Sequence, residues 1–490
     1  MTGALAGHLH AALSQTARVK TPRGTGSSRA PAGSIEGSDG AASLAAEEVL
    51  STAEATASAL SAKRLGPGEP VLCRIDNAPR DLAVLMGIWL AGGVAAPVHA
   101  AAAPATLEGV RGATGARLCV AGGNVEQISP QQAPAREPLR DAALIVFTSG
   151  STGKAKGVVL AHQRLVGKLQ VLDRLLKLTP DDTVVVPLQL SFIFGIWVSL
   201  LTILSGARLQ LVAKFSAEAV GKRLAEGASA VAVVPSMLRA LLAPMRAPAA
   251  PRLRMLLTGG ESLGRQLNTN TRAAFPHTAI YDLYGLSETG SCDFCLPPGE
   301  IAAGIGSIGR PTEEVTYRIV DESGAPAEPG SPGELLLKTP FGMLGYLDDP
   351  GLSAASYVDG FLRTGDQARL RSDGRVEIVG RLKDIISRGG NKIAPAEIEA
   401  LLTRHPQVSG ALCAGIPDAR LGEAIGAMVT LLPGAHVSAQ ELLGWAAGQI
   451  EKFKLPDVVL ICDTLPTGST GKLSRAAAAR RLEQVPRSQP

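Results

Sequence analysis

The chain has 490 residues, 46 % of them hydrophobic, and its 48 Lys and Arg against 44 Asp and Glu leave a formal charge of only +4. This length exceeds what one hydrophobic core serves, so a large domain of several subdomains and a smaller one are expected, and the Ala/Val/Leu-rich composition excludes a disordered chain. The weak charge, with no Lys/Arg block interleaved with aromatics, excludes polymeric nucleic acid as a partner.

At the N-terminus His8 and His10 interrupt the apolar stretch, and no secretory segment is expected. Residues 15–43, rich in Gly, Ser, Pro, Ala and Arg without apolar periodicity, are expected to form a flexible loop or tail. A helical pattern over residues 41–63 is stopped by Leu65-Gly-Pro-Gly and followed by an apolar strand at 71–75. Helix-like 81–91 leads to strand 94–98, and helix-like 105–112 to strand 117–121. Such alternation predicts parallel sheet.

Strand 144–147 runs into a Gly-rich segment, Phe147-Thr-Ser-Gly-Ser-Thr-Gly-Lys-Ala-Lys-Gly157, at the strand end where α/β sheets place ligands. Further strands are expected at 183–186, 207–212, 230–234 and 254–257. Residues 190–204 are apolar but too short for the roughly 20 residues of a bilayer span, and read as a buried helix or pocket wall. No transmembrane segment is expected. Beyond about residue 300 the pattern becomes hairpin-like, at 316–320 and 333–338, and near Gly380 it gives way to a charged, compact α+β segment running to about 481.

Six dispersed cysteines, Cys73, Cys119, Cys292, Cys295, Cys413 and Cys462, are too few for a disulfide framework and fit a reducing cytoplasm. Cys292 and Cys295 have C-x-x-C spacing, but no second Cys/His pair has metal-ligand spacing.

The pentapeptide Gly-Ser-Thr-Gly-Lys occurs at 150–154 and again at 468–472. Glycines let consecutive N–H groups converge on an anion, and hydroxyls and lysine add donors and charge, so each copy is a nucleotide-phosphate candidate. Neither is a P-loop. The glycines are too close together, and Ala155 or Leu473 stands where the magnesium-binding hydroxyl belongs. Downstream of the first copy follow, in order, Thr258-Gly-Gly-Glu-Ser-Leu263, Tyr284-Gly-Leu-Ser-Glu-Thr-Gly290, Phe361-Leu-Arg-Thr-Gly-Asp366, Gly380-Arg-Leu-Lys-Asp384 and Ser387-Arg-Gly-Gly-Asn391. The second copy lies in Leu465-Pro-Thr-Gly-Ser-Thr-Gly-Lys-Leu-Ser-Arg475.

In this order the segments resemble the signatures of the adenylate-forming superfamily, which includes acyl-CoA synthetases, luciferases and peptide-synthetase adenylation domains, with acyl-CoA synthetases most similar. The resemblance covers residues 71–475, and Ala155 replaces the family's usual proline. It implies an α/β fold with a large N-terminal ATP- and acid-binding domain, residues 1–379, made of layered α/β subdomains and a β-rich subdomain. A small mobile α+β lid, residues 380–490, follows.

By resemblance, Thr148, Ser149, Gly150, Ser151, Thr152, Gly153 and Lys156 hold the ATP phosphates, Lys154 being at a variable position. Gly259, Gly260 and Glu261 form the adenine side with Asp282, Tyr284 and Gly285, and Tyr284 packs on the base. Ser287 supplies the motif hydroxyl and Glu288 binds Mg²⁺, a cation that favours carboxylate and phosphate oxygens. Asp366 and Arg381 take the ribose, and Lys383 is the hinge. Gly389 and Gly390 face coenzyme A, and Lys472 is the catalytic lysine.

The implied reaction makes an acyl-adenylate from a carboxylic acid and ATP, then a thioester with coenzyme A. A carrier protein's phosphopantetheine presents the same thiol and remains the alternative acceptor; no carrier domain follows Arg475. The acyl pocket is expected near residues 189–197 and 233–238, with Phe192, Phe194, Gly195 and Met237 lining it. Many acyl-CoA synthetases have histidine where Phe192 stands. No charged side chain occurs over residues 187–204, which favours a neutral acid with a fatty or aryl tail. Asp282 and Asp293 are the two carboxylates near enough in sequence to alter that expectation.

Overall fold

Short Val-, Ala- and Leu-rich runs form the inner, parallel strands of two mixed sheets. In the computed structural model, which describes residues 4–18, 33–37, 43–131, 134–148, 156–243, 248–467 and 473–485, the larger sheet has nine strands. Its centre is Ala279–Tyr284, Met255–Gly259, Ala230–Val233, Thr183–Val186 and Arg208–Leu211, five strands parallel to one another. Thr183–Val186, Ala230–Val233 and Met255–Gly259 are buried throughout, as expected of strands covered on both faces.

The second sheet, of seven strands, runs Gly345–Tyr346, Lys156–Ala161, Ala142–Thr148, Val94–His99, Pro70–Ile75, Leu118–Ala121, Asn124–Gln127. Ala142–Thr148 and Lys156–Ala161 form an antiparallel hairpin, and Gly345–Tyr346 adds an outer strand beside it. The largest core joins both sheets: Val71, Leu144 and Leu160 from one and Val184, Leu209 and Leu257 from the other, with Ile196, Trp197 and Leu200 of the helix Ile193–Leu204 in the same cluster. The apolar run at 190–204 is therefore a buried helix. Among the described residues no helix is long and apolar enough to cross a membrane.

The stretch 15–43 departs from the expected tail. Residues 15–18 complete the helix Ala4–Arg18, Ile35–Glu36 joins the nine-stranded sheet parallel to Arg208–Leu211, and Ser43–Leu44 closes its edge. Leu5, Leu9 and Leu13 anchor the helix in the main core, and two-residue strands are too short to leave a periodic signature. Residues 19–32 and 38–42 lie outside the described residues. The predicted helix at 41–63 begins later, at Ala46, with Glu48 accepting from the Ala45 N–H at 2.7 Å.

A third, antiparallel sheet contains Thr316–Val320, Gly333–Lys338, Phe361–Leu370 and Val376–Arg381. The fourth contains Ile386–Arg388, Asn391–Ile393, Val408–Asp418, Gly422–Leu431 and Val458–Ile461, with a core of its own around Ile398, Cys413, Ile425 and Leu442. Gly380 and Arg381 still pair with Gln367 and Asp366 of the third sheet. The passage to the fourth sheet thus begins at the turn Leu382–Asp384, just after the expected boundary at 380.

Candidate active site

Tyr284 ends the strand Ala279–Tyr284, and Asp366 lies in Phe361–Leu370 of the third sheet. The Tyr284 hydroxyl donates to Asp366 Oδ2 at 2.6 Å, and Arg381 Nε lies 2.8 Å from Oδ1. Asp366 is only 2 % exposed. Burial pushes its pKa up while the Arg381 guanidinium and the Tyr284 hydroxyl pull it down; the balance stays above the ordinary aspartate value. Burial and the neighbouring carboxylate drive the Tyr284 phenol well above its usual range, which keeps it a donor. Three residues singled out in separate sequence segments thus form one cluster.

A second group stands at the hairpin carrying the first Gly-rich segment. Thr148 and Lys156 are its last described facing pair. Lys156 Nζ lies 5.3 Å from the centroid of the Tyr346 ring, and the Tyr346 hydroxyl donates to Glu288 Oε1 at 3.0 Å. Ser287 and Glu288 occupy the 3₁₀ turn Ser287–Thr289, and the Glu288 carbonyl accepts from Met343 N–H at 2.7 Å. Burial, then the Glu288 carboxylate, raises the Tyr346 phenol. Tyr346 went unnoticed in the sequence; its only local mark is that the chain has just five tyrosines.

Among the described residues no three His, Cys, Asp or Glu gather as a metal cage. The partly exposed Glu288 carboxylate, linked through Tyr346 to Lys156, suits Mg²⁺, which binds through one or two carboxylates and otherwise through substrate phosphates and water. Cys292 and Cys295 are buried free thiols. Burial pushes Cys292 up to about 12 and Cys295 higher still, so neither has the thiolate character of a metal ligand or redox centre.

The segment expected on the adenine side begins in the last two residues of the strand Met255–Gly259. Gly260 is exposed, and Glu261 is tied to Ser236, taking its N–H and hydroxyl at 3.1 Å each. Gly285 is required by close approach: a Cβ there would lie 2.2 Å from Cys292 N. Asp282 pairs in register with Thr258 and retains some solvent contact, yet desolvation by the surrounding protein raises its carboxyl to about 7. Asp293 is unavailable to a substrate ammonium. It is fully buried and paired with Lys168 at 3.3 Å.

Of the expected acyl pocket, Phe192 caps the helix Ile193–Leu204 and Phe194 stacks on Trp197, centroids 5.4 Å apart. A methyl on Gly195 would meet the Gln189 carbonyl oxygen at 2.5 Å. Met237, on the helix Pro235–Leu241, packs against both cores that meet there. Asn77, unremarked in the sequence, holds the approach to this helix: its amide donates to Leu188 O at 2.9 Å and accepts from Leu190 N–H at 2.8 Å.

Beyond the boundary, Lys383 is exposed in the turn Leu382–Asp384, and Gly389 and Gly390 form the exposed turn of the hairpin Ile386–Arg388, Asn391–Ile393. Arg475 fastens the end of the second Gly-rich segment. It forms a two-pronged ion pair with Glu399, lies 3.3 Å from Asp384 and donates to Cys413 O at 2.6 Å. Ser149, Gly150, Ser151, Thr152, Gly153 and Lys472 lie outside the described residues.

Comparison with known proteins gives the following relatives. The "AMP-binding enzyme" family model matches residues 123–347 and the "AMP-binding enzyme C-terminal domain" model residues 397–472. A feruloyl-CoA synthase of Amycolatopsis sp. is 32 % identical over 451 residues, covering 87 % of this chain and 91 % of its own. A fatty acid–[acyl-carrier-protein] ligase of Streptomyces coeruleorubidus is 33 % identical over 67 % of this chain and 65 % of its own. Among solved structures, a benzoate CoA ligase from Burkholderia xenovorans LB400 superimposes with a TM-score of 0.84 at 23 % identity, covering 97 % of this chain and 99 % of that one. That likeness speaks for the fold.

Proposed function

The chain belongs to the AMP-binding, adenylate-forming enzymes, and from that premise we propose that it joins a neutral, apolar-tailed carboxylic acid, fatty or aryl, to coenzyme A with conversion of ATP to AMP. The observation that carries the reading is the line Lys156, Tyr346, Glu288 at the foot of the Gly-rich hairpin, which gathers a cation and a carboxylate where nucleotide phosphates and their metal would lie.

A carboxylate is a poor acyl donor because oxide would have to leave. Its oxygen first attacks the α-phosphorus of ATP, the bond to the β-phosphate breaks and pyrophosphate departs. Both partners are anions, so the protein's contribution is alignment and charge neutralisation rather than base catalysis. Lys156 and the hydroxyls and N–H groups of 148–153 would hold the phosphates. Glu288 would hold Mg²⁺, which when bound offsets phosphate charge. Asp366, Arg381 and Tyr284 would take the nucleoside.

In the second step the coenzyme A sulfur forms a bond to the acyl carbon and AMP leaves. The same site has to admit the thiol, so the domain from Leu382 onward would turn about Lys383, withdrawing Lys472 and presenting Gly389 and Gly390. The apolar Phe192, Phe194, Trp197 and Met237, with Asp293 already neutralised by Lys168, favour an acid carrying no second charge. Buried free thiols support residence in a reducing cytoplasm.

ATP–pyrophosphate exchange across fatty, aryl and amino acids, followed by thioester assay with coenzyme A, tests the reading. Exchange with the first two classes and CoA-dependent AMP release are expected; exchange confined to amino acids would overturn it. Because one relative is a fatty acid–[acyl-carrier-protein] ligase, the second step is also run with a holo-carrier. Acyl transfer only to that carrier would make loading the function.

A further inference from the structure

The helix His162–Leu176 follows directly on the phosphate hairpin and buries His162, Leu165, Val166, Leu169 and Leu172. Lys168 falls on this apolar face and is 1 % exposed. A buried ammonium is expensive unless paired, and here it is met by Asp293, itself completely buried, at 3.3 Å, by the Cys292 carbonyl at 3.3 Å and by the Phe341 ring at 5.3 Å. The other oxygen of Asp293 accepts from the hydroxyl of Thr289, the neighbour of Glu288. One turn earlier on the helix, Arg164 donates to the carbonyls of Gly342 and Met343, both at 2.6 Å, and Met343 N–H holds the Glu288 carbonyl. The turn that presents Glu288 is thus gripped from two sides by one helix.

We propose that Lys168 and Asp293 are positioning residues: through Thr289 the buried pair fixes the Ser287–Thr289 turn so that the Glu288 carboxylate faces the metal and phosphates. The inference rests on the reading of Glu288 as a metal ligand. An unpaired charge would merely destabilise, and two well-packed apolar groups would fill the same space at little or no loss of stability. The retained ion pair therefore has a use in orientation, as outer residues that orient a metal ligand do.

The test measures Mn²⁺ affinity of the full chain by electron paramagnetic resonance with a non-hydrolysable ATP analogue, and thermal unfolding in parallel. Lys168→Met should unfold at lower temperature because Asp293 is left unpaired. Lys168→Met combined with Asp293→Leu should recover most of the wild-type unfolding temperature, yet bind Mn²⁺ about tenfold more weakly. Thr289→Val, which keeps the Lys168–Asp293 pair but removes the hydroxyl and with it the contacts to Asp293 and to the Leu286 backbone, should weaken Mn²⁺ several-fold while unfolding at a slightly lower temperature than wild type. Wild-type Mn²⁺ affinity in either the double variant or Thr289→Val overturns the inference alone. Unchanged affinity in Glu288→Gln would instead overturn the metal-ligand reading, and this inference with it.

Discussion

Tyr284 and Asp366 stand 82 residues apart in the chain, on different sheets, and meet through a 2.6 Å hydrogen bond. That bond ties the end of the nine-stranded sheet to the third sheet at the point where Arg381 leads toward the C-terminal segment. The Tyr284 ring also meets Phe294 edge-on, with centroids 6.1 Å apart. A nucleoside held between the two sheets would meet a ring and a carboxylate already fixed relative to one another.

Tyr284→Phe keeps the ring and removes the donor. Hydrogen bonds to charged groups contribute about 1.5–3 kcal/mol, and the buried carboxylate would lose one of its two partners. Weaker ATP binding is expected, with KM for ATP in pyrophosphate exchange rising roughly tenfold or more and kcat changing less. An unchanged KM would show that the bond has no part in nucleotide binding.

Asp282 predicts a pH effect of definite sign. Its carboxyl titrates near 7 in the folded protein against an ordinary value of 3.8, because burial disfavours the charge. The folded state therefore holds a proton that the unfolded chain has lost between pH 4 and 7, and stability falls as pH rises through that window. Asp282→Asn removes the titration. Its unfolding temperature relative to wild type should climb by about 3 °C between pH 5 and pH 8, flattening above. A pH-independent difference between the two proteins would contradict a raised carboxyl.

How much of this was visible in the sequence depends on the kind of contact. Tyr284, Glu288, Asp366, Arg381 and Lys156 stand in local runs of glycine, hydroxyl and charge, and the structure gathers the first, third and fourth into one cluster and links the other two through Tyr346. Tyr346 and Asn77 lacked such runs. Tyr346 matters because Gly345–Tyr346 pairs with Lys156–Ala161, a long-range pairing without a local pattern. Lys168 had a signal that was passed over: a lysine three residues from Leu165 and four from Leu172, on the apolar face of an amphipathic helix. The strand Ile35–Glu36 is too short for any period to mark it.

The cysteines predict a chemical measurement. Five of the six are buried and only Cys462 is partly exposed, while burial raises the pKa of each. A thiol reagent at neutral pH should therefore titrate no more than one of the six groups in the native protein and all six after denaturation. Rapid modification of Cys292 or Cys295 in the native state would reopen a redox or metal role for that pair.

The proposed role of Lys472 in adenylation predicts that its loss separates the two half-reactions. Arg475, three residues further along the chain, pairs with Asp384 and Glu399, both of which follow Lys383 in sequence. If the C-terminal domain approaches the ATP site in one orientation for adenylation and in another for the thiol, the lysine is needed only in the first. Lys472→Ala should lower acyl-adenylate formation by about 100-fold or more, the scale of losing a preorganised charge on a transferring phosphoryl group, while thioester formation from preformed acyl-adenylate and coenzyme A stays within about threefold of wild type. Rapid-quench assays of each half-reaction give the answer. Equal loss in both would mean that one arrangement of the domains serves both steps, and Lys383 would then lose its role as a hinge.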